Sequence, residues 1–274
     1  MTDPMLKYPT DLPSCIEGGT GPNTALFLHS VGGSRYSFEE TVAALPEGWR
    51  GVAWDAPGYG ASPALEEMTF EGLTTAAVRL LDARHAGQAV IVGHSMGGMI
   101  AQEIVARYPD RVQGLVLFAT AATFAGHDPI SRAQLLAGLL APLESGLTRR
   151  EIANGVIAGM FGPKPPQEAV KRAAEIMAQV GFDTYRKAIT CIFDFDRRAE
   201  LGQIACPTLV LAAEHDRVAP PRTVTRMAEA IPGARYHCLA GAGHFANMED
   251  PASFNAVIGD FLKQIESRKD ADPG

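Results

Sequence analysis

Apolar residues in this chain gather into short unbroken runs instead of alternating with polar ones. Ala25–Leu28 (ALFL), Gly51–Trp54 (GVAW), Ala89–Val92 (AVIV), Leu115–Phe118 (LVLF) and Thr208–Leu211 (TLVL) are too short to be helices. Each reads as a strand buried on both faces, the mark of a parallel sheet covered by helices. Between the runs lie amphipathic stretches of helical length: Phe38–Leu45, Phe70–Arg84, Met96–Arg107, Val224–Ala230 and Ala252–Ile265. This alternation predicts an α/β fold with a mostly parallel sheet flanked by helices.

The rhythm stops between Ala121 and Gln203, where only helical patterns occur, separated by Gly146, Gly162-Pro163 and Gly181. A helical insertion between two strands of one sheet is expected, with 1–120 and 204–274 forming the core and 121–203 a cap. Open α/β sheets bind ligands outside the carboxyl ends of their strands. A cap over that edge would enclose a pocket and exclude water. Before Ala25 only Ser14–Gly18 offers a further strand, and the tail Ser267–Gly274 (SRKDADPG) reads as disordered.

Composition narrows the class. The 274 residues carry 24 Lys+Arg against 31 Asp+Glu, a net charge of −7, and no basic cluster of the density that a phosphate backbone requires. No nucleic-acid partner is expected. Hydrophobic residues make up 46 % of the chain, enough at this length for a large core without metal or disulfide support. Cys15, Cys191, Cys206 and Cys238 are scattered without a CxxC pair and read as reduced thiols. The opening MTDPMLKYPTDLPSC has neither the basic nor the apolar region of a signal peptide. The longest uncharged apolar stretch, near Gly114–Gly126, falls short of the ~18 residues of a membrane span. A cytoplasmic protein acting on a small molecule is expected, with homo-oligomerisation left open.

The candidate chemistry begins after AVIV. Gly93-His94-Ser95-Met96-Gly97 is a Gly-x-Ser-x-Gly pattern set between a buried strand and the helical run MIAQEIVARY, which is what a nucleophile elbow demands. The turn holds the serine in a strained conformation, and the glycines let strand and helix pass each other. The side chain then stands at a helix N-terminus, where the dipole favours developing negative charge.

On these residues the chain resembles the α/β-hydrolase superfamily, whose catalytic groups follow in the order nucleophile, acid, histidine. The resemblance implies the α/β-hydrolase fold and a triad of Ser95, Asp216 and His244. Asp216 stands just past TLVL in TLVLAAEHDRVAP, and His244 follows a Gly-rich bend in ARYHCLAGAGHFANMEDP. Glu214 is the rival acid, though Asp216 with Pro220 fits the Asp-x-x-x-Pro pattern better. ATAATFAG, after the strand ending at Phe118, holds no alternative acid. A serine hydroxyl needs a base to take its proton as it attacks. His244 would be that base, and Asp216 would fix its tautomer.

An oxyanion hole needs two fixed donors. One is the N–H of Met96; by resemblance the other is that of Val31, in Leu28-His29-Ser30-Val31-Gly32-Gly33. Ser30 stands where relatives carry glycine, and His29 reads as a residue that buttresses this loop. Asp55-Ala-Pro-Gly58-Tyr-Gly60-Ala-Ser62 resembles the family's structural turn. It is neither a dinucleotide fingerprint nor a P-loop, so no cofactor is expected. No metal is expected either, because His94, His127, His215 and His237 lack ligand spacing.

Tyr185–Cys191 and Asp194–Arg198 are similar to the end of the cap in the 3-oxoadipate enol-lactonase group and in aromatic-degradation hydrolases. That likeness implies a serine hydrolase of small esters or lactones, carboxylate-bearing ones included. Phe124, Phe161, Phe182, Tyr185 and Phe193 are candidates to line a pocket, and Arg186, Arg197 and Arg198 to hold a carboxylate. Two other functions stay open: hydrolytic carbon–carbon cleavage of a vinylogous diketone, and a ligand receptor with a slow triad. Ser30-Val-Gly-Gly-Ser34 lacks the Gly-x-Gly-Pro-Gly stretch of the carbon–carbon hydrolases.

Overall fold

The computed structural model describes residues 11–124 and 129–271. His127 and most of the opening segment read for a leader lie outside them. Seven strands form one sheet: β1 (Cys15–Gly18), β2 (Asn23–Leu28), β3 (Trp49–Trp54), β4 (Ala89–His94), β5 (Val112–Phe118), β6 (Thr208–Ala213) and β7 (Arg235–Leu239). Their spatial order is β1-β3-β2-β4-β5-β6-β7. All pairings are parallel except that of β1 with β3. Each of the five apolar runs falls inside one of these strands. β7 was not among those runs, because it pairs only with β6 and turns Arg235, Tyr236 and His237 to solvent.

The buried strands point successive residues to opposite faces, and the core divides accordingly. Leu26, Leu28, Ile91, Leu115 and Leu117 meet α2 (Phe70–Ala83), α3 (Met96–Arg107) and α8 (Pro221–Ala230) on one side. Ala25, Phe27, Val90, Val92, Val116 and Phe118 meet α1 (Glu39–Ala43) and α10 (Pro251–Ala271) on the other. The expected helix at Phe38–Leu45 is shorter, a 3₁₀ turn at Arg35–Phe38 that passes into α1. The tail differs from the disorder expected from Ser267, since α10 continues to Ala271. Each added residue gains one backbone hydrogen bond whether or not its side chain is buried.

Among the described residues, four α-helices lie between β5 and β6: α4 (Pro129–Glu144), α5 (Arg149–Ala158), α6 (Gln167–Ala178) and α7 (Phe182–Phe193). The start of α5 was legible locally: Thr148 and Glu151 form a reciprocal capping box. The two ends of this insertion meet in an isolated antiparallel bridge, Thr123 with Asp196, and Arg197 N–H donates to Ala122 O at 2.7 Å. Arg197 then reaches Glu103 of α3 through two bonds of 2.7 Å each, and Arg107 reaches the same carboxylate at 2.8 Å. Burial works to raise the Glu103 carboxyl, but Arg197 and Arg107 together hold it below its usual range.

Glu103→Ala would leave Arg107 without its carboxylate partner and Arg197 with its longer contact to Glu200 at 3.3 Å. A loss of about 2 kcal/mol is expected, read as a lower urea midpoint at unchanged slope. An unchanged midpoint would show that the pair is stabilised no better than its hydrated ions.

Candidate active site

The site forms where the chain order of the sheet reverses. β2 lies between β3 and β4, so the loops after β2 and β4 diverge and leave a crevice at their carboxyl ends. Val31 follows the first of these strands and Ser95 the second.

Ser95 is the N-cap of α3 with φ 54 and ψ −116, a conformation that side chains rarely adopt. Its surroundings hold it there. Ser95 N–H donates to Phe118 O at 3.0 Å, and the Thr120 hydroxyl donates to Ser95 O at 2.8 Å. The flanking glycines are required by contact: a Cβ on Gly93 would lie 2.3 Å from Gly97 O, and one on Gly97 2.0 Å from Leu28 O. Met96 N–H, the first of α3, has no carbonyl a turn earlier to bind. Val31 is half-buried, and its carbonyl accepts the Tyr59 hydroxyl at 2.9 Å.

Asp216 and His244 meet across a 2.8 Å contact between Oδ2 and Nδ1, both buried. The other carboxylate oxygen accepts the amides of Val218 at 2.8 Å and Ala219 at 3.0 Å. A carboxylate accepts only, so Nδ1 carries the proton and Nε2 the lone pair. Among the described residues Ser95 Oγ makes no hydrogen bond to this ring. The two are linked instead through His94, whose Nε2 lies 2.8 Å from His244 O and whose ring centroid is 4.8 Å from that of His244. Glu214 does not compete for the histidine; its carboxylate binds Gly241 N–H at 2.8 Å.

Two residues here escaped the sequence reading. His94 is wholly buried, stacked 4.6 Å from Phe118, and burial lowers its pKa well below the usual value. It is therefore neutral, and because a carbonyl only accepts, its Nε2 holds the hydrogen. Glu249, the last residue of α9 (Ala246–Glu249), accepts the amides of Gly243 at 2.7 Å and Gly162 at 2.8 Å. Neither had a local signal. The partners of His94 and of Gly162 lie 150 and 87 residues away along the chain.

The loop after β2 is braced by His29. Its Nε2 accepts Ala56 N–H at 2.9 Å, which leaves Nδ1–H to donate to Ser30 O at 2.7 Å. Ser30 does not have a positive φ, so the side chain in place of glycine adds no backbone strain. Asp55, also buried, accepts Arg35 N–H at 2.8 Å and the Ser14 hydroxyl at 3.0 Å. Its turn is structural.

The arginines considered for a carboxylate ligand are committed elsewhere: Arg197 to Glu103, Arg198 to Asp196 at 2.6 Å and Arg186 to Glu144 at 3.4 Å. Of the five insertion aromatics, Phe161 stacks 5.4 Å from Phe245, whose ring lies 5.6 Å from that of His244. Phe124 packs on Phe193, Tyr185 is buried, and Phe182 is 40 % exposed. Among the described residues no cluster of three His, Cys, Asp or Glu could hold a metal ion, and no helix is long and apolar enough to cross a membrane.

An elbow serine at a sheet switch point, with a buried Asp–His pair beside it, defines a class of protein. The α/β hydrolase fold family model matches residues 24–251, and the chain belongs to that family. It is 27 % identical over 248 residues to the pimeloyl-[acyl-carrier protein] methyl ester esterase of Chromobacterium violaceum, covering 89 % of this chain and 96 % of that one. It is also 27 % identical to 3-oxoadipate enol-lactonase 2 of Acinetobacter baylyi over 245 residues, 88 % of each chain. The crystal structure of the enol-lactonase from Burkholderia xenovorans LB400 superposes with a TM-score of 0.83 at 25 % identity, over 91 % of this chain and 96 % of that one.

Burial holds the pKa of His29 down to about 4 from its ordinary 6.5. Below pH 6.5 the unfolded chain takes up a proton that the folded chain refuses until about pH 4, so stability is full above that window and falls through it as pH drops. The residue contributes a loss of about 3 kcal/mol across the window, and His94 adds to it in the same direction. Urea midpoints should therefore fall from about pH 7 to about pH 5, and His29→Gln should flatten part of the slope. Equal slopes in both proteins would mean that His29 is protonated in the fold.

Proposed function

We propose that this α/β hydrolase is a cofactor-independent serine hydrolase that cleaves a small carboxylic ester or lactone through an acyl-enzyme on Ser95. The observation that carries this reading is the buried Asp216–His244 pair, 2.8 Å apart, whose imidazole lies 4.8 Å from the ring of His94, the residue before the elbow serine. Ser95 Oγ attacks the carbonyl carbon as His244 Nε2 takes its proton. The tetrahedral oxyanion is met by the N–H groups of Val31 and Met96, each worth about 2.7–4 kcal/mol in such sites. Collapse breaks the acyl C–O bond, and His244 returns the proton to the leaving oxygen. Water then attacks the acyl-enzyme with the same base, releasing the acid and restoring Ser95. In a lactone, alcohol and acid stay in one molecule.

Helices α4–α7 serve in this reading as a cap, residues 121–203, over a core of 1–120 and 204–274. Its support is direct contact: His244 N–H donates to Met160 O at 2.7 Å, and a Cβ on Gly32 would lie 3.2 Å from Met177 of α6. The relatives named above, a methyl ester esterase and an enol-lactonase, act on bonds of the proposed class. The ion-paired state of Arg186, Arg197 and Arg198 favours an uncharged acyl group over a carboxylate-bearing one.

The test is turnover of p-nitrophenyl acetate, p-nitrophenyl butyrate and a set of small lactones by wild type and Ser95→Ala, with mass spectrometry of the trapped adduct. Ser95→Ala should lose activity by roughly 10⁴-fold or more, and an acyl increment should map to Ser95. Turnover that survives the substitution would sink the mechanism. A stable adduct with scarcely any turnover would favour a receptor with a slow triad. Neither adduct nor turnover would favour carbon–carbon cleavage.

A further inference from the structure

The loop that carries His244 is held at three backbone groups, each by a different part of the molecule. His244 O accepts His94 Nε2–H from the nucleophile elbow, 2.8 Å away. His244 N–H donates to Met160 O of the insertion at 2.7 Å. The preceding amide, Gly243 N–H, donates to Glu249 Oε1 at 2.7 Å, while the second oxygen of that carboxylate accepts Gly162 N–H of the insertion at 2.8 Å. The two backbones are in contact along this seam: a Cβ on Gly162 would lie 2.3 Å from Gly241 O, and one on Gly243 2.5 Å from Met160 O. Only glycines permit it.

We propose that Glu249 is a positioning residue that clasps the insertion to the catalytic histidine loop, so that the placement of His244 depends on the docking of residues 160–162. This rests on the serine-hydrolase reading above. The carboxylate has the two acceptor oxygens needed to join two amides that would otherwise face each other without a partner. Burial and the nearby Asp216 carboxylate raise the Glu249 carboxyl, against the two amides and His215, which lower it. Glu249 reaches neither the proposed oxyanion donors nor Ser95, and its effect passes through the backbone at Gly243. A displacement of about 1 Å transmitted to a reacting group costs about 100-fold in rate. Because the effect is on alignment and not on substrate contacts, it falls on kcat and leaves KM unchanged.

The experiment compares wild type, Glu249→Gln and Glu249→Ala by the rate at which an alkyl p-nitrophenyl phosphonate labels Ser95, by kcat and KM on p-nitrophenyl butyrate, and by thermal unfolding. Amide hydrogen exchange at Gly162 and Gly243 is measured on the wild type alone. Glutamine retains one acceptor oxygen but turns an NH₂ toward the second amide, so it should resemble alanine. The expected result is slow exchange at both glycines and a loss of about 100-fold in labelling rate and kcat in both variants, with KM unchanged. Labelling of folded variants at the wild-type rate would overturn the proposal. So would a loss expressed in KM alone. Rapid exchange at Gly162 or Gly243 in the wild type would overturn it even if neither variant folds. A wild type that leaves Ser95 unlabelled would instead refute the serine-hydrolase reading beneath it.

Discussion

The candidate nucleophile takes its position from the backbone of Ser95, held at a φ of 54 between β4 and α3. Such a conformation costs about 1–3 kcal/mol and persists only where the surroundings over-determine it. Here they do. The strand fixes the amide, Thr120 fixes the carbonyl, and the approaches at Gly93 and Gly97 leave no room for another path. The hydroxyl makes no cap bond to α3 and stands at the start of that helix, where the dipole favours negative charge. A looser turn would let the serine relax into an ordinary cap of α3, with its oxygen bonded to the helix instead of exposed to a substrate.

Strain at the elbow is accompanied by buried polar groups, several of which are answered at every polar atom by a specific partner. His29 uses both ring nitrogens, one toward Ala56 and one toward Ser30. Asp216 uses both oxygens, and so does Glu249. His94 is answered at one nitrogen alone. Among the described residues its buried Nδ1 has no partner, which costs free energy, and its other nitrogen supports the carbonyl of His244. Buried imidazoles kept neutral in this way tie the stability of the fold to pH on the acid side.

The insertion is attached by ionic and backbone contacts rather than by extension of the sheet. Its neck is one bridge and the Glu103–Arg197 pair on α3, the same helix that Ser95 caps. At its far side, Arg172 of α6 reaches Glu39 at 2.6 Å and Glu40 at 2.8 Å on the core. Arg197 and Arg172 are thus committed to holding the insertion on the core. Beside the histidine, Phe245 stands 5.6 Å from its ring and stacks on Phe161.

The linear chain determined whatever depends on neighbours in sequence. Runs such as AVIV and LVLF declare strands covered on both faces, because only a parallel sheet under helices buries consecutive apolar residues. The elbow around Ser95 is legible for the same reason, since strand, turn and helix are contiguous. The resemblance points to Asp216 and His244 by their order after two late strands, and the fold brings the two side chains to 2.8 Å; β2, β3, β4, β5 and β6 follow from their hydrophobicity. β7 was harder, because an edge strand with exposed side chains has no apolar run to announce it. What only the tertiary structure decided are the pairings between distant segments. It assigned Arg197 to Glu103 rather than to a ligand, and it made His94 the support of His244. It also set Glu249 between Gly162 and Gly243. A hydrogen bond across 87 or 150 residues leaves no periodicity in the sequence; it exists only once the sheet has brought both ends to one edge.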